Sequence, residues 1–546
     1  MARDEGQHDA QHFDLSFLET QMTRRVTRRE MLIGAAGVGA ALSLGPLFAA
    51  CGGDDGGSTA SPTAAGTPKK GGNLRMGMSL GGTDIDPQLS TTGDVIGLNH
   101  NVFEGLTTFD PTMKVVNQLA EEVSPNDAAT EYTVRLRPDV TFHNGKSLTA
   151  EDVIFSINRI LDPKAPKTGA SSLSHLERLE KVDDLTVRMY LARPDAIFPE
   201  LLAMYSNCIL PTGYKNTGKV ADLVGTGPFK MTAYTQLQQI DFASNAEYWG
   251  QVPYIDTMSW YSVSESNALV DGLADGTYDW VIGLSPTQGK IVDQSDGVST
   301  VRSSSGTYTP FMMRADLKPF DDVRVRQAFK LICPRQQTVD ATLAGAGILG
   351  NDITAVYDPA YPKDLEQTEQ DLEQAASLLK QAGYGDGLSV ECAVCPENGN
   401  SAVDSAVIFA EEAKKVGVKV KVNKVDVATF YGENWTTWPF STDSWATRGY
   451  IHAARIQRFP DAVWNCEHWQ NDQWESVMRE AETTVDEAKR NELIAEAMKI
   501  DHDEAGYLVW SFMDLIDGKS DKIAGEVPDV FYWTAINFGF KYLYFV

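Results

Sequence analysis

Residues 132–160 read YTVRLRPDVTFHNGKSLTAEDVIFSINRI and contain three structural elements in close succession. Residues 132–137 alternate apolar and polar side chains, which is the pattern of a strand with one buried face. Asn144-Gly145 is a signal for a hairpin turn. Thr149 and Asp152 have the spacing of a capping box, and apolar residues recur after them at helical spacing. The stretch therefore predicts a strand, a tight turn and a capped amphipathic helix.

A parallel sheet is predicted further along the chain. A strand begins at Leu388, a helix runs to about Val416 with Gly417 as its stop, and residues 418–422 alternate as a second strand. A strand, a helix and a strand in this order indicate parallel pairing with a right-handed crossover. The aromatic C-terminal stretch, residues 530–546, is too apolar for a loose tail, so we expect it to pack against a body formed earlier in the chain.

Composition limits the classes of function. The chain has 546 residues with 75 acidic and 47 basic side chains, which give a net charge of −28. This charge argues against nucleic-acid binding and against an electrostatic hold on anionic lipid. Without the leader and tether described next, about 475 residues remain, which suggests two or three compact units.

The N-terminal residues resemble an export signal. Arg28-Arg29 precedes a short, glycine-rich apolar run that ends at Cys51, and a stretch rich in Gly, Ser, Thr, Ala and Pro follows. The arginine pair resembles the twin-arginine signal, and the small residues before Cys51 resemble the lipobox of bacterial lipoproteins. We predict a signal peptide over residues 1–50, a lipid on Cys51 and a flexible tether over residues 51–72. The protein is then expected outside the cytoplasm, anchored to the membrane by this lipid.

Two alternatives stay open in the leader. Phe48 stands where most lipoboxes carry a leucine, and a single membrane-spanning helix over residues 31–50 would have the ~20 residues that a bilayer requires. The glycines in this run weaken such a helix, which favours the cleaved signal. Arg24-Arg25 is a second arginine pair that the export machinery could recognise.

Five cysteines follow Cys51 in the sequence, namely Cys208, Cys333, Cys392, Cys395 and Cys466. An odd number in an oxidising compartment predicts at least one unpaired thiol. Cys392 and Cys395 have CxxC spacing within a strand-like run, so a local disulfide stays open. No second CxxC and no histidine pair at zinc spacing accompanies them, and we therefore predict no metal site.

Two motifs of catalytic type fail on their context. Residues 77–81, GMSLG, match the nucleophile elbow of serine hydrolases, but the residues that follow open no helix, as the elbow requires. Residues 213–220, GYKNTGKV, miss a phosphate-binding loop because Val220 replaces the Ser or Thr that holds magnesium. No Ser/His/Asp or Cys/His arrangement is legible. We predict no enzymatic activity and no cofactor.

Six segments in order along the chain resemble the family 5 extracytoplasmic solute-binding proteins of bacterial ABC importers, the dipeptide, oligopeptide and nickel-binding group. The most specific is the opening stretch, residues 132–160. The others are residues 84–87 with 103–106 (DIDP and FEGL), 225–230 (GTGPFK), 319–335 (PFDDVRVRQAFKLICPR), 375–387 (AASLLKQAGYGDG) and 464–504. These segments maintain a fold, so they identify the family without touching a ligand.

The resemblance implies a fold and a division of the chain. It implies a bilobal α/β fold of the type II periplasmic-binding-protein class, with mixed sheets in two lobes, hinge crossings and an α/β subdomain inserted in lobe one. Lobe one is expected over residues 73–304, with the inserted subdomain at about 100–220. Lobe two is expected over residues 305–514, and residues 515–546 return to lobe one. Ligand is expected between the lobes.

The resemblance also implies where ligand binds. Peptide binders of the family hold the peptide's amino terminus with an aspartate a few residues beyond a tryptophan, and Arg448 stands at that place after Trp445, with Asp443 as the alternative counterpart. A cation there favours a carboxylate or another anion. Aromatic density around this loop indicates a cleft wall, although each ring could instead fill the core. Glu104 is expected to be structural. The candidate ligand-binding residues are Trp445, Arg448, Tyr308, Trp464, Trp435 and Tyr450.

Two hypotheses of function follow. The first is a monomeric substrate-binding lipoprotein that captures a short peptide or an amphiphilic, carboxylate-bearing solute and delivers it to an ABC permease in the membrane. The second is a lipoprotein of the same fold that serves as a sensor or an adhesive surface protein without a transport partner, or that binds a non-peptide anionic solute. A permease gene next to this one would favour the first hypothesis.

Overall fold

The structure is a computed structural model that describes residues 67–546 except residues 83, 90–91, 397–399, 433 and 532–533. The predicted export signal with Arg28 and Arg29, the predicted lipid site Cys51 and the tether as far as residue 66 lie outside the described residues. Within the described part, no helix has both the length and the apolar character needed to cross a membrane.

The strands are numbered in chain order. They are β1 Asn73–Met78, β2 Thr107–Phe109, β3 Val115–Asn117, β4 Ala120–Pro125, β5 Glu131–Leu136, β6 Leu176–Lys181, β7 Thr186–Leu191, β8 Phe229–Thr235, β9 Gln239–Ser244, β10 Thr257–Ser262, β11 Trp280–Val281, β12 Val298–Tyr308, β13 Phe311–Met313, β14 Gly347–Leu349, β15 Leu388–Val394, β16 Val418–Lys424, β17 Phe440–Thr442, β18 Tyr507–Leu508, β19 Ser511–Ser520, β20 Ile523–Ala524 and β21 Tyr544–Phe545.

The α-helices are numbered in the same way. They are α1 Gly93–Val102, α2 Ala150–Ile160, α3 Phe198–Leu202, α4 Ser266–Ala274, α5 Pro286–Asp293, α6 Val323–Ile332, α7 Arg335–Thr342, α8 Leu372–Gln381, α9 Asn400–Lys414, α10 Val427–Phe430, α11 Tyr450–Gln457, α12 Asp472–Thr483 and α13 Glu487–Glu504.

The first lobe is built on a mixed eight-stranded sheet in the order β12-β19-β11-β1-β10-β9-β8, with β14 paired to β19. β1 runs parallel to both β10 and β11, and the other neighbours are antiparallel. The buried core of this lobe includes Met76 and Trp260 together with Phe538, Phe540 and Leu543 from the C-terminus. The prediction that the aromatic C-terminal stretch packs against an earlier body is therefore confirmed.

The second lobe contains a five-stranded sheet in the order β16-β15-β17-β13-β18. β15 pairs in parallel with β16 from Leu388 opposite Val418 to Val394 opposite Lys424, and α9 connects the two strands. The predicted strand, helix and strand are thus confirmed. The aromatic rings of Phe311, Phe329, Phe409 and Phe440 pack together in the core of this lobe.

The chain crosses between the two sheets twice, at neighbouring positions. It leaves β12 at Tyr308 and enters β13 at Phe311, and it returns from β18 at Leu508 to β19 at Ser511. The predicted lobe boundaries at 304/305 and 514/515 fall inside β12 and β19, which pair along their length with an irregularity between Ser304 and Tyr308. Two adjacent crossings of extended chain are the arrangement of a hinge between lobes.

The inserted subdomain is a four-stranded antiparallel sheet in the order β4-β5-β7-β6, with α2 packed against it. The opening stretch lies here as predicted, with β5 as its strand and Gly145 at φ 83° in its turn. At the start of α2, the Thr149 hydroxyl and backbone N–H donate to the Asp152 carboxylate at 2.9 and 3.0 Å. The bilobal α/β fold with an insertion in the first lobe is therefore confirmed.

A buried charge network fastens the inserted subdomain to the second lobe. The Arg455 guanidinium in α11 donates to both Asp195 carboxylate oxygens, each at 2.9 Å, and its Nε donates to Glu482 Oε1 at 2.6 Å. Asp195 follows β7 of the subdomain, and Glu482 lies in α12. The Ala196 N–H also donates to the Glu482 carbonyl oxygen at 2.7 Å. One arginine thus holds carboxylates from both bodies.

Replacement of Arg455 tests this network. Arg455→Ala leaves Asp195 and Glu482 without their cation in a buried site, and we expect a loss of about 3–5 kcal/mol of unfolding free energy. Urea denaturation measures the loss. Arg135→Ala is the control, because Arg135 pairs with Glu121 and Glu122 at the exposed surface of the same subdomain. Equal destabilisation by both substitutions would contradict the role given to the network.

Candidate functional site

The loop between β17 and α11, residues 443–449, is called the junction loop here because it touches several bodies of the molecule. Its Trp445 exchanges two backbone hydrogen bonds with Tyr308 at the end of β12, at 3.0 and 2.9 Å. The Thr447 hydroxyl accepts from the Gly306 N–H at 2.9 Å and donates to the Phe531 carbonyl oxygen at 3.1 Å. A loop of the second lobe is thus tied to the hinge strand and to the C-terminal segment.

The junction loop also meets the inserted subdomain. A Cβ atom on Gly449 would lie 2.7 Å from Glu200 Oε1 in α3, so the small residue permits this close approach. His452 in the first turn of α11 places its Nδ1 4.0 Å from the same oxygen. The loop therefore lies where the first lobe, the second lobe and the inserted subdomain come together, which is the usual place for a ligand in a two-lobed protein.

Three tryptophans form one cluster at this junction. The ring centroids of Trp435 and Trp445 lie 6.2 Å apart with nearly parallel planes, and Trp464 lies 5.7 Å from Trp435 and 6.1 Å from Trp445. Trp445 is buried, whereas Trp435 and Trp464 keep exposed surface. The structure thus brings together three of the predicted site residues as a half-open aromatic wall.

Asp443 has a structural role at the start of the junction loop. Its carboxylate accepts from the Tyr431 hydroxyl at 2.5 Å, the Trp435 indole N–H at 2.8 Å and the Ser444 N–H at 2.7 Å. Burial raises the pKa of Asp443 to about 6, although these hydrogen bonds oppose the rise. Both carboxylate oxygens are engaged by neighbours within the second lobe, so Asp443 orients the aromatic wall.

Arg448 lies half-buried in the junction loop and is weakly satisfied. Its Nη1 donates to the Ala446 carbonyl oxygen at 3.3 Å, and within the described residues it forms no ion pair with a carboxylate. Burial raises the pKa of Tyr308 and lowers that of His452, and the positive charge of Arg448 contributes a smaller lowering to both. Arg448 therefore lies close to the hinge strand and to the start of α11.

Two titratable groups at the junction, His452 and Glu200, are neutral at pH 7. Burial, followed by the charges of Arg448 and Arg455, lowers the pKa of His452 to about 3. Burial, followed by repulsion from Asp358, raises the pKa of Glu200 to about 8. An uncharged imidazole and a protonated carboxyl add no charge, so the positive charge of Arg448 is not compensated by these two neighbours.

The two predicted tyrosines lie in different surroundings. Tyr308 is 3% exposed, and its hydroxyl donates to Gln457 Oε1 at 3.2 Å while its backbone holds Trp445. Tyr450 has no exposed surface, and its hydroxyl donates to Asp501 at 2.8 Å and accepts from the Trp474 indole at 3.1 Å. Tyr450 belongs to the core beneath α11 and is left out of the candidate site, because its ring and hydroxyl are already occupied.

Glu104 is structural, as predicted. It is buried and accepts from the Thr226 hydroxyl, the Tyr248 hydroxyl and the Trp249 indole at 2.7–2.8 Å. Among the residues that sequence reasoning missed are Thr447, Glu200 and His452. Thr447 lies between Trp445 and Arg448, so its position in the sequence could have indicated a place at the site. Nothing near Glu200 in the sequence indicates that α3 meets α11.

The motifs set aside in the sequence have ordinary positions. β1 ends one residue before Ser79, and the next helical turn of the described residues, 87–89, opens well beyond it, so no nucleophile elbow forms. Cys392 and Cys395 are buried in different clusters of the second lobe, which separates the two sulfurs of the CxxC sequence. Among the described residues, no three His, Cys, Asp or Glu side chains form a metal-binding group.

Comparison with known proteins identifies the family of this chain. Residues 114–459 match the family described as "Bacterial extracellular solute-binding proteins, family 5 Middle". HbpA2 from Haemophilus parasuis has a similar structure, with a TM-score of 0.78 and 22% identity, over 87% of this chain and 100% of that chain. The fold is therefore that of a type II periplasmic binding protein, and the chain belongs to family 5 of the bacterial extracellular solute-binding proteins.

Two characterised relatives span most of the chain. The oligopeptide-binding protein AppA of Bacillus subtilis is 26% identical over 473 residues, which cover 81% of this chain and 86% of AppA. The glutathione-binding protein GsiB of Pectobacterium atrosepticum is 26% identical over 477 residues, which cover 82% of this chain and 91% of GsiB. Members of the family are extracytoplasmic solute-binding proteins that serve ABC importers, and this chain shares that class.

The raised pKa of Glu200 predicts a pH dependence. The unfolded chain releases this proton near the ordinary pKa of 4.5, whereas the folded protein retains it until about pH 8. The stability present below pH 4.5 is therefore lost progressively as the pH rises from 4.5 to 8. Gln mimics the protonated acid and cannot ionise. We expect Glu200→Gln to raise the melting temperature above that of the parent by a margin that grows from pH 5 to pH 8.

Asp195 supplies the matched control in thermal unfolding. It faces the same helix as Glu200, but the hydrogen bonds of His175 and Arg455 outweigh burial and lower its pKa to about 2. Asp195→Asn should therefore destabilise the protein by a similar amount at every pH from 5 to 8. A constant difference between Glu200→Gln and the parent over this range would contradict the assigned protonation of Glu200.

Proposed function

We propose that this protein is the substrate-binding component of an ABC importer and that it captures a short peptide or a related small solute between its two lobes. Family membership supports the class of function. The main structural support is the junction loop. There the tryptophan cluster and Arg448, which makes one long hydrogen bond, lie next to the end of β12. The protein acts as a monomer that delivers its solute to a membrane permease.

Capture follows from the geometry of the two crossings. Residues 309–310 and 509–510 are the short links between β12 and β13 and between β18 and β19. A solute that touches both lobes favours the closed state by the difference in its affinity for the two states. The junction loop would supply the second lobe's contacts with the solute. The hydrogen bonds of its Thr447 to Gly306 and Phe531 hold the loop at a fixed position relative to the first lobe.

We assign the solute-facing surface to the tryptophan cluster, with Tyr308 behind it and Arg448 beside it. The exposed parts of Trp435 and Trp464 offer broad apolar contact, and the buried Trp445 supports both rings. AppA is named for binding oligopeptides and GsiB for binding glutathione. Both solutes have peptide bonds and carboxylates, so short peptides and peptide-like acids are the solutes that we propose for this protein.

Identification of the bound solute tests the proposal. We expect the protein, purified without denaturation, to release a peptide or peptide-like compound that mass spectrometry identifies. Trp464→Leu removes one of the two partly exposed tryptophan rings that we assign to the solute. We expect it to weaken binding of that compound about tenfold, or about 1.4 kcal/mol. Isothermal titration of the emptied protein measures the affinity.

Trp438→Leu is the control for this substitution. Trp438 lies in the same segment of the second lobe, but it stacks on Phe430 and donates to the Phe430 carbonyl oxygen rather than joining the cluster. Its replacement should leave the affinity unchanged. Ester or peptide hydrolysis by the pure protein that Ser79→Ala abolishes would contradict a function limited to binding.

We further propose that the protein is exported through the twin-arginine route and held at the membrane by lipid on Cys51. The sequence motif of Arg28-Arg29 and the small residues before Cys51 support this proposal. Two or three acyl chains, at about 0.8 kcal/mol per buried methylene, anchor a protein durably where one chain would not. A tethered receptor stays beside its permease, which raises the effective concentration of loaded receptor.

Replacement of the lipid-bearing residue tests the anchor. Cys51→Ala should move the protein from the membrane fraction to the soluble extracytoplasmic fraction, because no thioether to lipid can form. Immunoblots of fractionated cells report the distribution. Arg28→Lys with Arg29→Lys is the companion variant, and it should retain the protein inside the cell with its signal uncleaved. Membrane retention of the Cys51→Ala variant would favour the alternative of a spanning helix.

A further inference from the structure

We propose that the contact between residues 195–201 of the inserted subdomain and helices α11 and α12 of the second lobe is a latch that holds the cleft closed, and that ionisation of Glu200 releases it. The latch follows from the two-lobed fold and is independent of which solute the cleft takes. Chain connectivity allows this contact to separate. The inserted subdomain lies between β1 and β8, both strands of the first lobe, so the chain does not pass directly from it to the second lobe.

Polar bonds form one part of the latch. Arg455 of the second lobe binds both carboxylate oxygens of Asp195, each at 2.9 Å. The Ala196 N–H donates to the Glu482 carbonyl oxygen at 2.7 Å, which is a main-chain bond between the two bodies. When the subdomain and the second lobe separate, this bond breaks and the Ala196 amide becomes open to exchange with water. One amide therefore reports the state of the latch.

Apolar packing forms the second part. Side chains of both bodies belong to one continuous buried cluster, which includes Ile197 and Leu201 of the subdomain and Ile451 and Ala454 of the second lobe. Burial of apolar surface at the contact favours the closed state at every pH, because it involves no ionisable group. A change of latch strength with pH must therefore come from the titratable side chains of the contact.

Glu200 of α3 has the geometry of such a group. Its side chain is 17% exposed, and its Oε1 has no hydrogen-bond partner among the described residues. His452 Nδ1 lies 4.0 Å from that oxygen, which is beyond hydrogen-bond range, and a Cβ atom on Gly449 would lie 2.7 Å from it. A carboxylate in this position gains no donor in place of the water that it loses, so the closed contact favours the protonated acid.

The charged groups that act on Glu200 come from four other parts of the molecule. They are Asp195 after β7, Asp358 between β14 and α8, Arg455 in α11 and Arg490 in α13. The two aspartates repel a carboxylate, whereas the two arginines attract it but already bind other acceptors. Burial, followed by the repulsion from Asp358, therefore raises the pKa of Glu200 to about 8.

His452 is the second titratable group of the latch, and it acts in the opposite direction. Burial, followed by the charges of Arg448 and Arg455, lowers its pKa to about 3, and Asp195 opposes this lowering. Opening exposes both groups to water, where the pKa of Glu200 returns to 4.5 and that of His452 to 6.5. Rising pH above 4.5 then weakens closure through Glu200, and falling pH below 6.5 weakens it through His452. The latch is therefore strongest at about pH 5.5, midway between these two values.

Hydrogen exchange of the Ala196 amide measures the latch in the purified full-length protein without added solute. Mass spectrometry with fragmentation to single residues reads the exchange. Protection is the intrinsic exchange rate divided by the measured rate, which removes the ordinary pH dependence of exchange. We expect the protection of Ala196 to be about tenfold lower at pH 8 than at pH 5.5, because the loss through Glu200 outweighs the gain through His452.

Glu200→Gln keeps a neutral group in the latch at every pH. Its Ala196 protection should not fall between pH 5.5 and pH 8 and should instead rise, because His452 alone of the two groups still titrates. Glu177→Gln is the matched control, because Glu177 is an exposed acid of the same subdomain. Its Ala196 protection should fall with pH as in the parent. Melting temperatures, measured in parallel, establish that each variant is folded.

Two control amides separate release of the latch from unfolding. The Leu136 N–H donates to the Leu185 carbonyl oxygen at 2.8 Å inside the subdomain, and the Ala203 N–H donates to the Glu200 carbonyl oxygen at 3.1 Å at the end of α3. Their protection in the parent should be the same at pH 5.5 and pH 8. An equal fall at either amide would mean that the subdomain or its helix unfolds with rising pH, and it would overturn the proposal.

The comparison of the parent with Glu200→Gln is the decisive one. Ala196 protection that changes with pH in the same way in both proteins would overturn the role of Glu200 and with it the proposed latch. Neither result bears on the function proposed above, because no solute enters the experiment. That function fails on a different observation, namely a purified protein that binds no peptide or related small solute.

Discussion

The two backbone hydrogen bonds between Tyr308 and Trp445 are the constraint on which the candidate site depends. Tyr308 ends the strand that crosses from the first lobe, and Trp445 lies in the junction loop, where it supports the aromatic wall three residues before Arg448. Because main-chain bonds fix direction as well as distance, the loop cannot shift without moving the crossing strand. A solute that displaces the junction loop therefore also displaces the strand that crosses between the lobes.

Local patterns predicted the elements that local interactions determine. The strand, turn and capped helix of residues 132–160 formed as expected because the Thr149 and Asp152 pair and the glycine turn act within a few residues. The gathering of three tryptophans was predictable from their density. The hydrogen bonds of the buried Tyr450 hydroxyl could not be predicted, because its partners, Asp501 and Trp474, lie far away in sequence. The contact of α3 with α11 was missed for the same reason.

The net charge of −28 for the whole chain does not predict the charges of individual groups at the candidate site. Acidic side chains outnumber basic ones in the chain, yet burial keeps His452 and Glu200, which lie at the junction loop, neutral at pH 7. Arg448 and Arg455 are the positive charges that act on His452. The surrounding negative charge slows the approach of an anion, whereas the low dielectric inside a closed cleft strengthens its final contact. Such a protein therefore discriminates between solutes mainly by how long each one stays bound in the closed state, and less by how fast each one arrives.

The charge network of Arg455 limits how the lobes separate. If the inserted subdomain stays with the first lobe during opening, the Asp195 and Arg455 contact breaks, and both ions pass into water. Desolvation penalties recovered on opening offset much of the lost attraction, so breaking a buried pair in this way costs far less than deleting one partner. If the same opening exposes Glu200 to water, its carboxyl releases a proton above its ordinary pKa. In that case rising pH favours the open state, and proton uptake accompanies closure around a solute.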